Sequence, residues 1–210
     1  MASTTAVTTQ AKTLSQAARR PRVATTSGDR ASRSGIWVGI FAITMSFMAF
    51  TSALFVRGGS LDWGHMVLPA ILYWNTLALL ASGGTFELAR RRLELVGGGK
   101  VQSGERGMFW LVATLALGIA FCVGQYAAWQ DLRAQGIYLA TNPNSSFFYL
   151  LTFVHVLHVL GGISAFLYLL VRLAVRPGVL RRSFFENTAI YWHFMGVLWL
   201  YLLLLCRTKL

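Results

Sequence analysis

Phe147-Phe148-Tyr149-Leu150-Leu151-Thr152-Phe153-Val154-His155-Val156-Leu157-His158-Val159-Leu160-Gly161-Gly162 opens an apolar run that continues to Val171 without a Lys, Arg, Asp or Glu. A bilayer's hydrocarbon core is about 30 Å thick and takes roughly 20 helical residues to cross, so this run is long enough to span it. His155 and His158, three residues apart, are expected on one helix face, and Gly161-Gly162 a turn later is expected to let a neighbouring helix approach closely. A polar face in an apolar medium needs partners.

Working outward, the same reading repeats. Gly35 to Val56, Met66 to Phe86, Gly107 to Ala128 and Asn187 to Cys206 are also free of Lys, Arg, Asp and Glu. With 55% hydrophobic residues and a mean hydropathy of +0.55, the chain carries more apolar surface than a soluble core of 210 residues would bury. Continuous runs exclude a β-barrel, whose strands alternate at half the length. The expected fold is all-α, a polytopic membrane bundle of five transmembrane helices spanning 35–206.

The formal charge of +12 is explained by its distribution rather than by a nucleic-acid partner. Fifteen of the 19 basic residues precede the first run or lie in the second and fourth connections, among them Arg33, Arg90, Arg91, Arg92, Arg172 and Arg182. Arg57, Arg133, Arg207 and Lys209 make up the other set. The positive-inside rule then puts the N-terminus in the cytoplasm and, after five crossings, the tail 207–210 outside. Residues 1–34, rich in Ala, Ser, Thr and Arg, read as a disordered basic cytoplasmic tail. A mitochondrial targeting segment has a similar composition.

Smaller signals fill in the chain. Gly35 and Gly39 form a GxxxG pair in the first span. Asp62, Trp63 and His65 fall at interface depth, with His65 as a solvated loop residue. Asn75, the amide of the second span, is expected to bond across to another helix or to a lipid headgroup. Glu87 is placed to pair with Arg90 and Arg91 at i, i+3 and i+4, and Gly97-Gly98-Gly99 is expected to end that helix. Asn142-Pro143-Asn144 marks a turn before the histidine helix. Glu186 opens the fifth span, where an acid suits the helix dipole and can fasten a nearby arginine. Cys122 and Cys206 lie in apolar runs and read as small buried side chains.

Three histidines, His155, His158 and His193, lie at membrane depth. No carboxylate or thiolate is within helical reach to complete a metal site, so no metal is expected, although bis-histidine haem ligation between spans is arithmetically open. Intramembrane proton relays are built on buried acids or lysines, and the five runs contain none.

Ser145-Ser146-Phe147-Phe148-Tyr149, Leu151-Thr152, His155, His158-Val159 and Gly161, with Phe185-Glu186 and Tyr191-Trp192-His193-Phe194 before Trp199-Leu200, resemble the two signatures of subunit III of the haem-copper respiratory oxidases. Leu68-Pro69, Asn75-Thr76, Leu80-Ala81-Ser82-Gly83 and Gln125 follow the same order, so the resemblance covers about 35–206. It implies a five-helix bacterial form of an all-helical bundle, an accessory and non-redox subunit with no catalytic residues. Subunit I is implied as its main contact, subunit II as a further partner, and phospholipids as ligands held in a cleft. Haem and copper are implied in the partner subunits and none in this chain. On the same grounds His155, His158, His193, Trp192, Tyr191, Glu186, Asn75 and Arg172 are candidate lipid-contact or packing residues.

The chain departs from the family pattern at Ser46 and Gly196, where acids are usual, at Phe153, where Gly is common, and at Ala127-Ala128. These departures remove most of the family's intramembrane acids and leave the lipid and assembly roles. The resulting expectation is a cytochrome c oxidase subunit in a bacterial plasma membrane, with the mitochondrial inner membrane as the lesser alternative. A quinol oxidase, a nitric oxide reductase system and a self-contained membrane cytochrome b are the competing expectations.

Overall fold

The computed structural model describes residues 27–58, 68–96, 100–175 and 180–209. Five helices follow one another: α1 Ser27–Arg57, α2 Ile71–Arg91, α3 Glu105–Ala134, α4 Pro143–Val175 and α5 Arg182–Lys209. Three short strands, β1 Leu93–Val96, β2 Lys100–Ser103 and β3 Leu180–Arg181, complete the described elements. α1, α3, α4 and α5 are each long and apolar enough to cross a membrane. α2 falls outside that set because Asn75, Thr76, Ser82, Gly83, Gly84 and Thr85 dilute its apolar content.

The helices exceed the apolar runs. α4 has 33 residues, about 50 Å at 1.5 Å per residue, against a core of about 30 Å. α1 begins at Ser27, inside the expected tail, because its amino end docks against α5. α5 continues to Lys209, so the expected outside tail is largely helical. α2 ends at Arg91 rather than at the glycines, since Leu93–Val96 turns into an antiparallel pairing with Lys100–Ser103. Residues 97–99, the expected tail up to residue 26, and Asp62, Trp63 and His65 lie outside the described residues.

Local chemistry ends α3 and begins α4. Gly136, at φ +78°, takes the left-handed position after α3, and its N–H donates to the Arg133 carbonyl at 3.0 Å while the Ile137 N–H donates to Leu132 at 3.0 Å. That paired arrangement satisfies two of the carbonyls a helix end leaves orphaned. Pro143 then starts α4, where its missing N–H costs nothing. The Ser145 hydroxyl accepts from the Asn142 N–H at 3.2 Å, and the Tyr149 hydroxyl donates back to the Ile137 carbonyl at 2.9 Å.

α2 runs antiparallel to α3, with the Thr85 and Thr114 hydroxyls 2.8 Å apart near one end and Asn75 against Gly124 near the other. α4 and α5 close the other side of the bundle, and α1 lies against α4 and α5. At one end of the bundle, β1, β2 and β3 form one antiparallel sheet, which joins the second connection to the fourth.

Candidate functional site: a cleft beside α1 and a polar layer inside the bundle

The two motif segments meet. Gly162 of α4 sits under Tyr191 and Trp192 of α5, where a Cβ would come within 3.0 Å of Tyr191 Cε1 and 3.3 Å of the Trp192 ring. The close approach expected of the glycine pair is therefore made by Gly162, whereas a Cβ at Gly161 would meet only Tyr191 Oη at 3.9 Å. Gly118 of α3 receives the far edge of the same indole, where a Cβ would lie 2.8 Å from Trp192 Cη2. Trp192 is thus wedged between α3 and α4, and its indole N–H donates to the Ser82 hydroxyl of α2 at 3.1 Å. The Tyr191 hydroxyl donates to the His158 carbonyl at 2.9 Å. No such approach occurs at Gly35 or Gly39, where a Cβ would meet nothing within 4 Å.

The three histidines separate. His155 is fully buried, with its ring 5.2 Å from Trp199 and 5.8 Å from Phe121. His158, expected on the same face, turns instead to α1: its ring lies 6.0 Å from Phe47, and its Nδ1–H donates to the Val154 carbonyl at 2.7 Å. Three residues rotate a helix to about 60° short of a full turn, enough to send the two rings to different neighbours. His193 is exposed and lies over Gly83 and Phe86 of α2. The three rings thus lie against different neighbours. Among the described residues no group of three or more His, Cys, Asp or Glu side chains is placed to hold a metal ion.

His193 borders a notch of about 280 Å³ between α2 and α5, lined also by Leu80, Gly84, Trp192, Gly196 and Val197. Gly196 and Gly84 leave it open, since a Cβ at either would meet nothing within 4 Å. A larger cleft of about 460 Å³ lies between α1, α4 and α5. Its floor is small, with Gly35, Gly161 and Ala165, and Ser32, Asn187, Thr188 and Tyr191 add polar groups along one side.

Next in sequence to Ser32 and Asn187, two of the cleft's lining residues, stands a charged cluster. Arg33 of α1 donates to Glu186 Oε2 at 2.8 Å and Arg182 donates to Oε1 at 2.6 Å, so one carboxylate holds two guanidinium groups. Glu186 thus fastens a neighbouring arginine, as its place at the helix start suggests, and a second one from α1. Beside it the Asn187 amide donates to the Ser32 hydroxyl at 2.7 Å, while Asn187 Oδ1 is buried without a hydrogen-bond partner. Arg172, half-buried on α4, places its guanidinium 5.7 Å from the Tyr168 ring centre. On α2, Glu87 accepts from Arg90 at 2.7 Å and from Arg91 at 3.4 Å, the pairing its spacing predicts. Asn75 turns into the bundle against Gly124, and its Nδ2 has no partner.

Sequence reasoning does not single out Ser32, Asn187 or Thr188 at the cleft. The available signal is the pair of polar residues in the first turn of the last apolar run, which only a partner at the amino end of α1 makes informative.

A family model described as cytochrome c oxidase subunit III matches residues 30–207. The chain belongs to the cytochrome c oxidase subunit III family. A protein of Synechocystis sp. named cytochrome c oxidase subunit 3 is 38% identical over 177 residues, covering 83% of this chain and 70% of the relative. One of the same name from Pylaiella littoralis is 32% identical over 189 residues, covering 82% and 64%. A probable cytochrome c oxidase subunit 3 of Mycobacterium tuberculosis is 33% identical over 135 residues, covering 60% of this chain. The match spans 59% of the mycobacterial relative's length. The chain is thus a multi-pass membrane member of the subunit III family, and the motifs that carry the resemblance are the ones that pack at Gly162 and Trp192.

Proposed function

We propose that the chain is a non-redox accessory subunit of an aerobic terminal oxidase of the cytochrome c type. In this reading it crosses a bacterial plasma membrane five times, braces the catalytic subunit I and holds phospholipid. The observation that carries it is the contact between the two family motifs: Gly162 of the histidine helix seats Tyr191 and Trp192 of the last helix. The features most specific to the family are therefore spent on holding the bundle together, as expected of a scaffold rather than a redox centre. Haem and copper belong, on this reading, to the partner subunits.

Five spans are favoured because α2, at 21 residues, is about 31 Å long and lies alongside α3 and α5. Orientation follows from charge. The amino end of α1, the second connection and the fourth connection meet at one end of the bundle, through the Arg33–Glu186 pair and the β1–β2–β3 sheet. These are the three segments richest in Lys and Arg, so this end faces the cytoplasm and the carboxyl end faces outward.

The cleft beside α1 suits a phospholipid. Small residues form a groove for an acyl chain, Arg33 and Arg182 leave an excess positive charge for a phosphate, and Asn187 Oδ1 accepts from a headgroup hydroxyl or ammonium. Purification of the tagged chain from its native membrane in mild detergent tests the whole reading. Co-purification with a large haem-copper subunit and a binuclear-copper subunit is expected. The large subunit without that copper site would assign a quinol oxidase, and nitric oxide reductase subunits would overturn the oxidase reading. A reporter fused after Leu210 should be active only outside the cytoplasm.

A further inference from the structure

Three polar side chains in the bundle interior have no role in the cleft or in the wedge around Trp192. Asn75 of α2 is 4% exposed, and Gln125 of α3 and His155 of α4 are fully buried. Asn75 Nδ2, both amide atoms of Gln125 and both ring nitrogens of His155 make no hydrogen bond. They share one depth. The His155 ring lies against Phe121 and Trp199, whose rings are themselves 4.9 Å apart. Gln125 is one turn beyond Phe121 on the buried stripe of α3. Asn75 packs against Gly124, the residue next to Gln125, and its own neighbour Thr76 accepts from the Trp199 indole at 2.9 Å.

The geometry points to an ordered-water site at this level, held between the Asn75 amide, the Gln125 amide and the His155 imidazole. The donor set selects the ligand. It contains two neutral amides and one imidazole, with no carboxylate or thiolate, so it offers no charge to balance a cation and no cation to balance an anion. It does offer donors and acceptors together, which a small neutral molecule able to do both satisfies. Buried water bonds typically to two to four polar groups, and three side chains from three helices supply that number. The driving force is the cost of leaving such groups bare, about 1–3 kcal/mol each in a protein interior. Within a bilayer no solvent is at hand to relieve it. The site is independent of the cleft and of the proposed partners.

A cryo-EM map of the purified protein in its native assembly, at a resolution that shows waters, tests the inference. A density peak within about 3.2 Å of at least two of the named nitrogen and oxygen atoms is the expected result. A map in which the amides and the imidazole bond directly to one another, or in which the layer is dry, overturns it. The same map of Gln125→Met should lose that peak with the helices in place; persistence of the peak at full strength also overturns the assignment. Thermal midpoints add a second readout. Gln125→Met and His155→Phe combined should cost less than the sum of the two single losses, because the second change removes a group the first has orphaned, whereas additive losses would mean the groups share nothing.

Discussion

α1 and α5 are both long apolar helices with aromatic side chains, yet they are held in opposite ways. α5 is locked from within: Trp192 and Trp199 are buried, each indole N–H is spent on a hydroxyl of α2, and glycines of α3 and α4 receive the Trp192 ring. α1 presents a narrow stripe, Ile40, Ile43, Phe47, Thr51 and Leu54, and leaves Trp37, Phe41, Met45, Met48 and Phe55 outward. It is pinned by polar contacts near its amino end, at Ser32 and Arg33, and in its carboxyl-terminal third, at Thr51. The difference teaches where apolarity stops being informative in a membrane. Lipid solvates an apolar face as well as another helix does, so what separates a core helix from a peripheral one is close steric fit and hydrogen bonding.

The sharpest test of that contrast is at the centre. Trp192→Ala removes a side chain that touches three helices and strands the Ser82 site, so a loss of about 3–5 kcal/mol is expected. It should be read as a lowered thermal midpoint in detergent with the whole bundle released together. Gly162→Val presses a branched side chain on Tyr191 and Trp192, and overpacking of this kind costs about 1–3 kcal/mol. Gly39→Val, on the open face of α1, should leave the midpoint unchanged. Equal effects of the two would end the distinction between a fitted and an unfitted glycine.

Smaller effects are expected at the edge. Tyr201→Phe removes the hydroxyl that donates to Thr51 at 2.9 Å, a loss of about 1 kcal/mol. Hydrogen exchange should quicken in α1 while α2 and α3 keep their protection. Arg33→Ala breaks a largely exposed pair, worth less than about 1 kcal/mol and reduced by salt. Its measurable result is faster proteolysis near residues 27–34 at unchanged thermal midpoint. Release of the whole bundle by either change would show that α1 belongs to the core.

Much of this was legible beforehand, for definite reasons. Runs without charge are a long-range signal that survives any packing, and they located the five described helices. The Glu87 pairing with Arg90 and Arg91 follows from local geometry, whereas Pro143 and Asn144, expected in a turn before the helix, form its first turn. Other features were not legible. His155 and His158 share a motif but not a neighbour, because the division between them depends on where α1 and α5 lie. The β1–β2–β3 sheet pairs segments separated by the whole of α3 and α4. The cleft at Ser32 and Asn187 brings together residues 155 positions apart.

By itself the sequence determined the class: five apolar helical runs, basic segments that alternate with them, and two motifs whose residue types and spacing match one family. Composition and periodicity are properties of segments, and a bilayer reads them segment by segment. Tertiary structure alone decided which polar groups were satisfied and which were left without a protein partner. Asn75 Nδ2, the Gln125 amide and the His155 ring nitrogens come to one depth unpaired, while Trp192, Trp199 and Tyr191 find partners on other helices. A hydrogen bond is short and directional, so it depends on the relative rotation and depth of two helices, which are set by the packing of all five.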